Sequence, residues 1–256
     1  MIEFPSLRSH RKLRHGFFTR RGGLSHGIYA SLNCGFGSRD TTDLISLNRA
    51  HVAGMLGMSP EALVTGYQTH STEVAILETV PNEPPKADAL VTNSTGIVLG
   101  VLTADCAPVL LADPEAKVIG AAHAGWRGAY LGVLEATCRT MIGIGARLDH
   151  IRAVIGPAIQ QSSYEVGPEF QQRLVEADGA NSTFFKLASR QGYFMFDLPS
   201  YCAARLRQMG IENISTSEAC TYHNQDDYFS YRRSVHRQEL DYGRQISAIT
   251  LGQPEL

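Results

Sequence analysis

The segment from Leu102 to Gly128 constrains the fold most, because it holds two short apolar runs on either side of a turn signal. Residues 109–112 and 118–122 are too short for helices and rich in β-branched side chains, which is typical of buried strands. Asp113-Pro114 favours a turn, since aspartate can hydrogen-bond its own backbone and proline fixes φ. The sequence therefore predicts a β-hairpin with its tip at residues 113–116.

The register of this hairpin brings a thiol and an imidazole together. With the tip at 113–116, Val109 faces Gly120, and the same register places Cys106 opposite His123. Directly opposed Cβ atoms lie about 4.5–5.5 Å apart, so the two side chains can share a metal ion or form a nucleophile–base pair. Pro108 cannot donate to a ladder, so we expect pairing to end there, with both residues at the open mouth of the hairpin.

The residues after His123 favour a functional role for this pair. A lone cysteine beside a buried strand is usually a packing residue. The loop that follows His123, however, holds the only tryptophan of the chain and Arg127 between two glycines. His70 lies at the junction of two predicted strands, although a single histidine is more often structural.

Composition excludes several classes of protein. The 256 residues are 43% apolar with a net charge of −2 and no basic run, which indicates a globular protein without a nucleic-acid-binding surface. No apolar run reaches the ~20 residues of a membrane span, and the first residues lack a signal pattern. Five irregularly spaced cysteines form no disulfide framework, which favours a reducing cytoplasm. We expect one domain over residues 1–256, with no nucleic-acid or membrane partner, as a monomer or homodimer.

Helical and strand patterns are interleaved along the chain, and some strands form hairpins. This predicts a mixed α/β fold with α+β layers, in which mixed sheets carry flanking helices, rather than a doubly wound parallel sheet. Apolar periodicity predicts helices at residues 43–56, 129–142, 166–175 and 198–209. The polar stretch 181–191 is typical of an exposed loop.

Four motifs in one order resemble the YfiH family, also called the polyphenol-oxidase or laccase-domain family. They are Q-T-H at 68–70, T-A-D-C at 103–106, H-A-G-W-R-G at 123–128 and F-S-Y-R-R at 229–233. The resemblance extends over nearly the whole chain. It implies a layered α/β fold, distantly similar to bacterial toxins with a Cys–His deamidase site, and a single metal ion held by the catalytic residues His70, Cys106 and His123.

The resemblance also implies an activity. Family membership suggests phosphorolysis of adenosine, inosine, guanosine and methylthioadenosine, together with deamination of adenosine. The H-x-E and P-C-x-x-C signature of the usual zinc deaminases is absent, so a deaminase activity here would have a separate origin. Other roles assigned in the family are copper-dependent phenol oxidation and the editing of peptidoglycan precursors.

The donor set itself favours zinc. Two imidazoles and one thiolate leave the fourth tetrahedral position open, which is the pattern of a catalytic zinc site. The same set fits copper, but blue-copper sites usually have a weak axial ligand such as methionine, and no methionine lies beside these motifs. A metal-free Cys–His hydrolase and a non-catalytic binding module are the remaining alternatives.

Phosphorolysis requires a phosphate site, and arginine suits it because its guanidinium matches phosphate oxygens bidentately. The candidates for substrate binding are Arg20, Asn33, Gln68, Arg127, Arg232 and Arg233. Among them we expect Arg232 or Arg233 to contact the anion. Asp105 is expected either to orient a ligand histidine or to cap a strand.

Overall fold

The computed structural model describes residues 1–7 and 13–252, and it has helices packed on mixed sheets as the sequence predicts. The strands are β1 Arg14–Phe17, β2 Leu63–Thr65, β3 Val74–Ile76, β4 Ala89–Thr92, β5 Val98–Thr103, β6 Ala107–Asp113, β7 Val118–Ala124, β8 Arg152–Ile155, β9 Glu165–Val166, β10 Phe185–Leu187, β11 Phe194–Phe196, β12 Asn213–Thr216 and β13 Gln245–Thr250. The α-helices are α1 Thr42–Met55, α2 Trp126–Leu131, α3 Val133–Gly143, α4 Pro168–Ala177, α5 Leu198–Gln208 and α6 Tyr231–His236.

The strands form three sheets. The largest has the order β12-β8-β6-β7-β4-β3 and combines antiparallel pairs with parallel pairs at both edges. A second sheet has the order β1-β13-β5-β2, and a small one has the order β10-β11-β9. Both larger sheets are mixed, since β2 runs parallel to β5 while β13 runs antiparallel to it.

Side-chain alternation along the central strands explains the layering. Leu110 and Ala112 pack with Leu99 and Ile249 of the second sheet, so the two large sheets share one core. Val109 and its neighbours on the opposite face pack against α3 and α5. A third apolar cluster joins the second sheet to α1. Because successive side chains of a strand point to opposite faces, the order of layers is α1, sheet, sheet, then α3 and α5.

The hairpin of β6 and β7 forms as predicted, but its register differs from the prediction by two residues. Val109 pairs with Ala122 rather than Gly120, and Pro108 rather than Cys106 faces His123. The reason is that Asp113 still belongs to the ladder, where its carboxylate accepts the N–H groups of the turn.

Pro108 is tolerated inside the ladder because its backbone edge faces β8 and not β7. Its carbonyl accepts the N–H of Gly156, directly after β8 ends. The prediction that pairing stops at Pro108 is therefore wrong, and the ladder continues to Ala107.

Two local predictions need correction. The helix expected at 129–142 is divided into α2 and α3 by Gly132, whose φ of +103° ends the first helix. The stretch 181–191 is not simply a loop, because its first residues form a 3₁₀ turn that leads into β10. Among the described residues no helix is both long and apolar enough to cross a bilayer.

Candidate metal centre

The loop between β2 and β3 carries His70, and a buried aspartate holds this loop in place. The carboxylate of Asp88 accepts the N–H groups of Thr69, His70 and Ser71 at 3.0, 2.9 and 2.7 Å, and the Ser71 hydroxyl at 2.7 Å. His70 has a φ of +59°, a conformation that a non-glycine residue rarely adopts. Asp88 therefore holds the loop in a conformation that is unfavourable without it.

Asp88 also orients His123, which lies near the end of β7. Its carboxylate is 2.8 Å from Nδ1 of His123, and both side chains are buried. A histidine that donates Nδ1–H to a carboxylate has its Nε2 lone pair available for a metal. Burial by itself would raise the pKa of Asp88, but hydrogen bonds from His123 and Ser71 outweigh it and hold the pKa well below its usual range.

Cys106 completes the group in the short connection between β5 and β6. Its Sγ lies 3.7 Å from Nε2 of His70, and the three potential ligand atoms of His70, Cys106 and His123 lie within 4.8 Å of one another. His70 is exposed, Cys106 is half-buried and His123 is buried, so the group is open to solvent on the His70 side. The structure thus brings the three predicted ligands together.

The electrostatics of this group favour a thiolate. Burial would raise the pKa of Cys106, but the charge and hydrogen bonding of His123, with a smaller effect of His70, lower it to about 6. Conversely, burial would lower the pKa of His123, but Cys106 and Asp88 raise it to about 9. A thiolate and two imidazoles are the soft and borderline donors that zinc binds, so the residues present fit a zinc ion.

Gly125 makes room for the three ligands. A Cβ at this position would lie 2.6 Å from Cδ2 of His70 and 3.0 Å from Sγ of Cys106. These distances are shorter than carbon and sulfur atoms tolerate, so glycine here is required by the ligand side chains and not by backbone conformation.

Asp105 is buried next to Cys106 but does not orient a histidine, which corrects one of its two predicted roles. Its carboxylate accepts the hydroxyls of Thr221 and Ser230 at 2.7 and 2.9 Å, and the backbone N–H of Arg232 at 2.7 Å. Burial raises the pKa of Asp105. Asp105 therefore anchors the F-S-Y-R-R segment beside the ligand cysteine.

Two predicted substrate contacts have structural roles instead. The amide of Gln68 donates to the carbonyl of Leu102 and accepts its N–H, at 2.8 and 2.9 Å. Asn33 is fully buried, donates to Ser38 and Asp40, and accepts two backbone N–H groups. The amide of Asn33 is thus fully occupied by the protein itself, whereas half-buried Gln68 keeps one amide N–H beyond its two bonds to Leu102.

The four arginines separate into two groups. The guanidinium groups of Arg20 and Arg233 donate to backbone carbonyls, and both residues line a cavity that includes no triad residue. Arg232 lies 5.3 Å above the ring of Tyr164 and donates one N–H to the carbonyl of Glu165. Arg127 is exposed, and its side chain has no hydrogen-bond or ion-pair partner within residues 1–7 and 13–252.

Sequence reasoning missed Asp88 and Gly125. Asp88 directly precedes β4, and its role depends on β4 lying next to β7. Tyr164 was also missed; burial and then the Cys106 thiolate raise its pKa above the usual range, which places it in the surroundings of the cysteine.

Comparison with known proteins identifies relatives over nearly the whole chain. Residues 14–252 match the family described as multi-copper polyphenol oxidoreductase laccase. The chain is 36% identical over 244 residues to the purine nucleoside phosphorylase of Corynebacterium glutamicum, covering 94% of this chain and 95% of that protein. It is 36% identical to purine nucleoside phosphorylase YfiH of Escherichia coli, covering 91% of each.

Solved structures agree with this relationship. The crystal structure of YfiH from Bacillus licheniformis superposes with a TM-score of 0.86 at 28% identity, over 94% of this chain and 93% of that one. YlmD from Geobacillus stearothermophilus gives the same TM-score of 0.86 at 26% identity, over 98% and 94% of the two chains.

Proposed function

The chain belongs to the YfiH family, whose family model is described as multi-copper polyphenol oxidoreductase laccase, and we propose that it is a zinc-dependent purine nucleoside phosphorylase. The observation that carries the proposal is the convergence of His70, Cys106 and His123 within 4.8 Å, on a side open to solvent. The names of the relatives supply the reaction class.

In this proposal the three residues hold the zinc ion and the open side admits the nucleoside. Two imidazoles and one thiolate would hold a zinc ion with one coordination position left for a substrate, and the ion would supply Lewis acidity there. Asp88 fixes the ring of His123 and the loop of His70, so that both nitrogens are positioned before substrate arrives. A phosphate oxygen forms a bond to C1′ of the nucleoside as the C1′–N9 bond breaks; the purine leaves with that electron pair and takes up a proton from water or from the phosphate, and a pentose 1-phosphate is released.

Arg127 and Arg232 are the proposed phosphate contacts. Arg127 lies two residues after Gly125, where an added Cβ would meet two of the ligands, and its guanidinium has no partner among the described residues that would compete with an anion. Arg232 is held near the site because its backbone N–H donates to Asp105. A guanidinium matches two phosphate oxygens at once, so loss of either should raise the KM for phosphate.

We extend the proposal to adenosine, inosine, guanosine and methylthioadenosine as substrates, and to deamination of adenosine as a second activity. We also propose a cytoplasmic location, as a monomer or homodimer. The cytoplasmic location is supported by the five cysteines, all of which are unpaired thiols.

The test is to measure zinc and copper per chain and then to incubate the protein with adenosine and phosphate. We expect one zinc ion, free adenine and ribose 1-phosphate, with inosine as the product of deamination. Cys106→Ala should lose both the metal and the products. Cys34→Ala removes a fully buried thiol in another cluster and is the matched control. Phosphorolysis that persists in Cys106→Ala would contradict the proposal.

Copper-dependent phenol oxidation is the second candidate, because the family description favours it. In the part of the chain that is described, one group of three or more histidine, cysteine or acidic residues converges. A single group suits a mononuclear site. Oxygen consumption with a phenol by the copper-loaded protein, absent from the zinc-loaded protein, would favour this candidate.

The succession Asp88, His123 and Cys106 also suits a metal-free Cys–His hydrolase, such as an amidase acting on peptidoglycan precursors. Metal removal separates this candidate from the first. A hydrolase of this kind retains its turnover after chelation, whereas the proposed phosphorylase loses it. Tight nucleoside binding without any turnover would instead favour a binding module.

A further inference from the structure

A polar cavity of about 230 Å³ lies between the Arg20 region and the segment that includes α6. Its charged lining residues are Arg20, Arg233, Arg237 and Glu239, and none of the three proposed metal ligands lines it. Three guanidinium groups thus face one carboxylate. The cavity carries a positive charge that no function discussed so far uses.

Among the described residues, the guanidinium groups of Arg20 and Arg233 make their direct contacts with backbone carbonyls and not with carboxylates. Neither Arg20 nor Arg233 forms an ion pair with a carboxylate among residues 1–7 and 13–252. Arg233 is 8% exposed. Asp105 and Glu239 attract Arg233, and Glu239 and Asp226 attract Arg20, without contacting the guanidinium groups directly, so a bound anion would supply the direct contact that both lack.

Backbone carbonyls fix the orientation of Arg20 without using all of its donors. A guanidinium has five N–H bonds. Arg20 gives three hydrogen bonds, to the carbonyls of Ile28, Ala30 and Gln225. Two N–H bonds therefore remain for a ligand, on a group that is already immobilised.

Arg233 is arranged in the same way. It donates three hydrogen bonds, to the carbonyls of Thr221, Tyr222 and Tyr228, and two N–H bonds remain. Burial lowers the pKa of both Arg20 and Arg233; repulsion by Arg233 lowers that of Arg20 further, whereas attraction by Asp105 opposes the effect of burial on Arg233. The guanidinium groups of Arg20 and Arg233 are held in place by backbone carbonyls and lie beside Arg237. Together they form a preorganised anion receptor.

We propose that this cavity binds a phosphate-class oxyanion, either free phosphate or the phosphoryl group of a small sugar phosphate. Its volume is below the ~300–1,000 Å³ typical of sites for drug-sized ligands, so it suits a small anion. The rings of Phe229 and Tyr242 form part of the wall, and Phe229 lies 4.3 Å from the Arg20 guanidinium. The site is additional to the phosphate contacts proposed at Arg127 and Arg232.

The test is calorimetric titration of the zinc-loaded protein with inorganic phosphate, ribose 5-phosphate and ribose, at low chloride concentration. Phosphate or ribose 5-phosphate should bind saturably, and ribose should not. Tighter binding of ribose 5-phosphate assigns the cavity to a sugar phosphate, and equal or tighter binding of phosphate assigns it to the free anion. An absence of saturable binding of both anions would overturn the proposal.

Three variants locate the binding. Arg237→Gln removes an exposed guanidinium and should weaken binding by about threefold to tenfold, whereas Glu239→Gln removes the opposing charge and should strengthen it by a similar factor. Arg139→Gln, on the exposed side of α3, is the matched control and should change nothing. Equal affinities for all three variants would contradict the cavity as the site.

Cys106→Ala separates this proposal from the proposed function. This variant should lose phosphorolysis and zinc yet bind phosphate with unchanged affinity, because Cys106 does not line the cavity. Phosphate binding that disappears with Cys106 would place the anion at the metal and overturn the cavity proposal. If the unaltered, zinc-loaded protein binds phosphate in this cavity but shows no phosphorolysis, the cavity proposal is supported and the proposed function is refuted.

Discussion

Two buried aspartates flank the candidate metal centre, and they hold different sides of it. Asp88 is 1% exposed and Asp105 is 7% exposed. Asp88 binds the loop of His70 and the ring of His123, so it organises the ligands. Asp105 binds two hydroxyls and the N–H of Arg232, so it organises the side from which phosphate is proposed to approach.

The pKa values of Asp88 and Asp105 are shifted in opposite directions. Burial would raise the pKa of both, and it does raise that of Asp105, whose direct partners are neutral hydroxyls and one amide. Asp88 instead contacts an imidazole that is itself protonated readily, and its pKa falls. Two buried carboxyl groups thus shift in opposite directions, and the imidazole that hydrogen-bonds Asp88 is the partner that Asp105 lacks.

The largest effect is expected where the ligands are crowded, at Gly125. The Cβ of Gly125→Ala would lie 2.6 Å from Cδ2 of His70 and must displace that ring. Zinc sites tolerate ligand displacements of only roughly 0.2 Å, so zinc affinity should fall on the order of 100-fold or more. The measurement is competition with a chromogenic zinc chelator.

Gly54→Ala is the control for this change, because a Cβ at this position within α1 meets nothing within 4 Å. Zinc affinity should stay unchanged, and the free energy of unfolding should rise by about 0.5–1 kcal/mol. Normal zinc binding by Gly125→Ala would show that the ligand side is looser than the geometry indicates.

Asp88→Asn tests directly how His70 and His123 are positioned for the metal. The change removes the negative charge that His123 and three backbone N–H groups share, so zinc affinity should fall by about 10–100-fold. The free energy of unfolding should fall by about 1–3 kcal/mol, since buried donors lose an ionic acceptor. Chelator competition and chemical denaturation measure the two quantities separately.

Asp105→Asn is the matched change on the other side. It should cost a similar 1–3 kcal/mol of unfolding free energy while leaving zinc affinity within about twofold, because Asp105 contacts no proposed ligand side chain. The KM for phosphate should rise more than kcat falls, as Arg232 loses its anchor. If Asp105→Asn releases zinc as readily as Asp88→Asn, the assignment of ligand positioning to Asp88 alone is wrong.

Local sequence patterns predicted where helices and strands lie. They did not predict how distant strands pair with one another. The helix at 43–56 was predicted within one residue of α1, although the residues that α1 buries are Ile45, Asn48, Val52 and Ala53, while Leu47 and Met55 are exposed. The hairpin register was wrong by two residues. Because side chains alternate with period two, that error kept each residue on its expected face and still left Cys106 diagonal to His123.

Asp88 could not be assigned from the chain alone. It acts on His123 because β4 pairs with β7, and the order of strands in a sheet is not encoded in local spacing. The same holds for Gln68 and Asn33, which have the polar character of substrate contacts but whose amides satisfy backbone groups of distant segments.

Gln68 offers the smallest test, because it links the His70 loop to β5 rather than to Asp88. Gln68→Ala loses two neutral hydrogen bonds to Leu102 and should lower the free energy of unfolding by about 1–2 kcal/mol. Zinc affinity should fall by only about threefold, since Asp88 still holds Thr69, His70 and Ser71. Denaturation and chelator competition apply again.

Gln172→Ala, on an exposed part of α4, is the control and should change the unfolding free energy by less than about 0.5 kcal/mol. If Gln68→Ala releases zinc as strongly as Asp88→Asn, the loop would depend on its anchor to β5 as much as on the carboxylate. Gln68 and Asp88 would then be equally important for positioning the metal ligands. The difference between Asp88 and Asp105 would no longer explain how the metal site is organised.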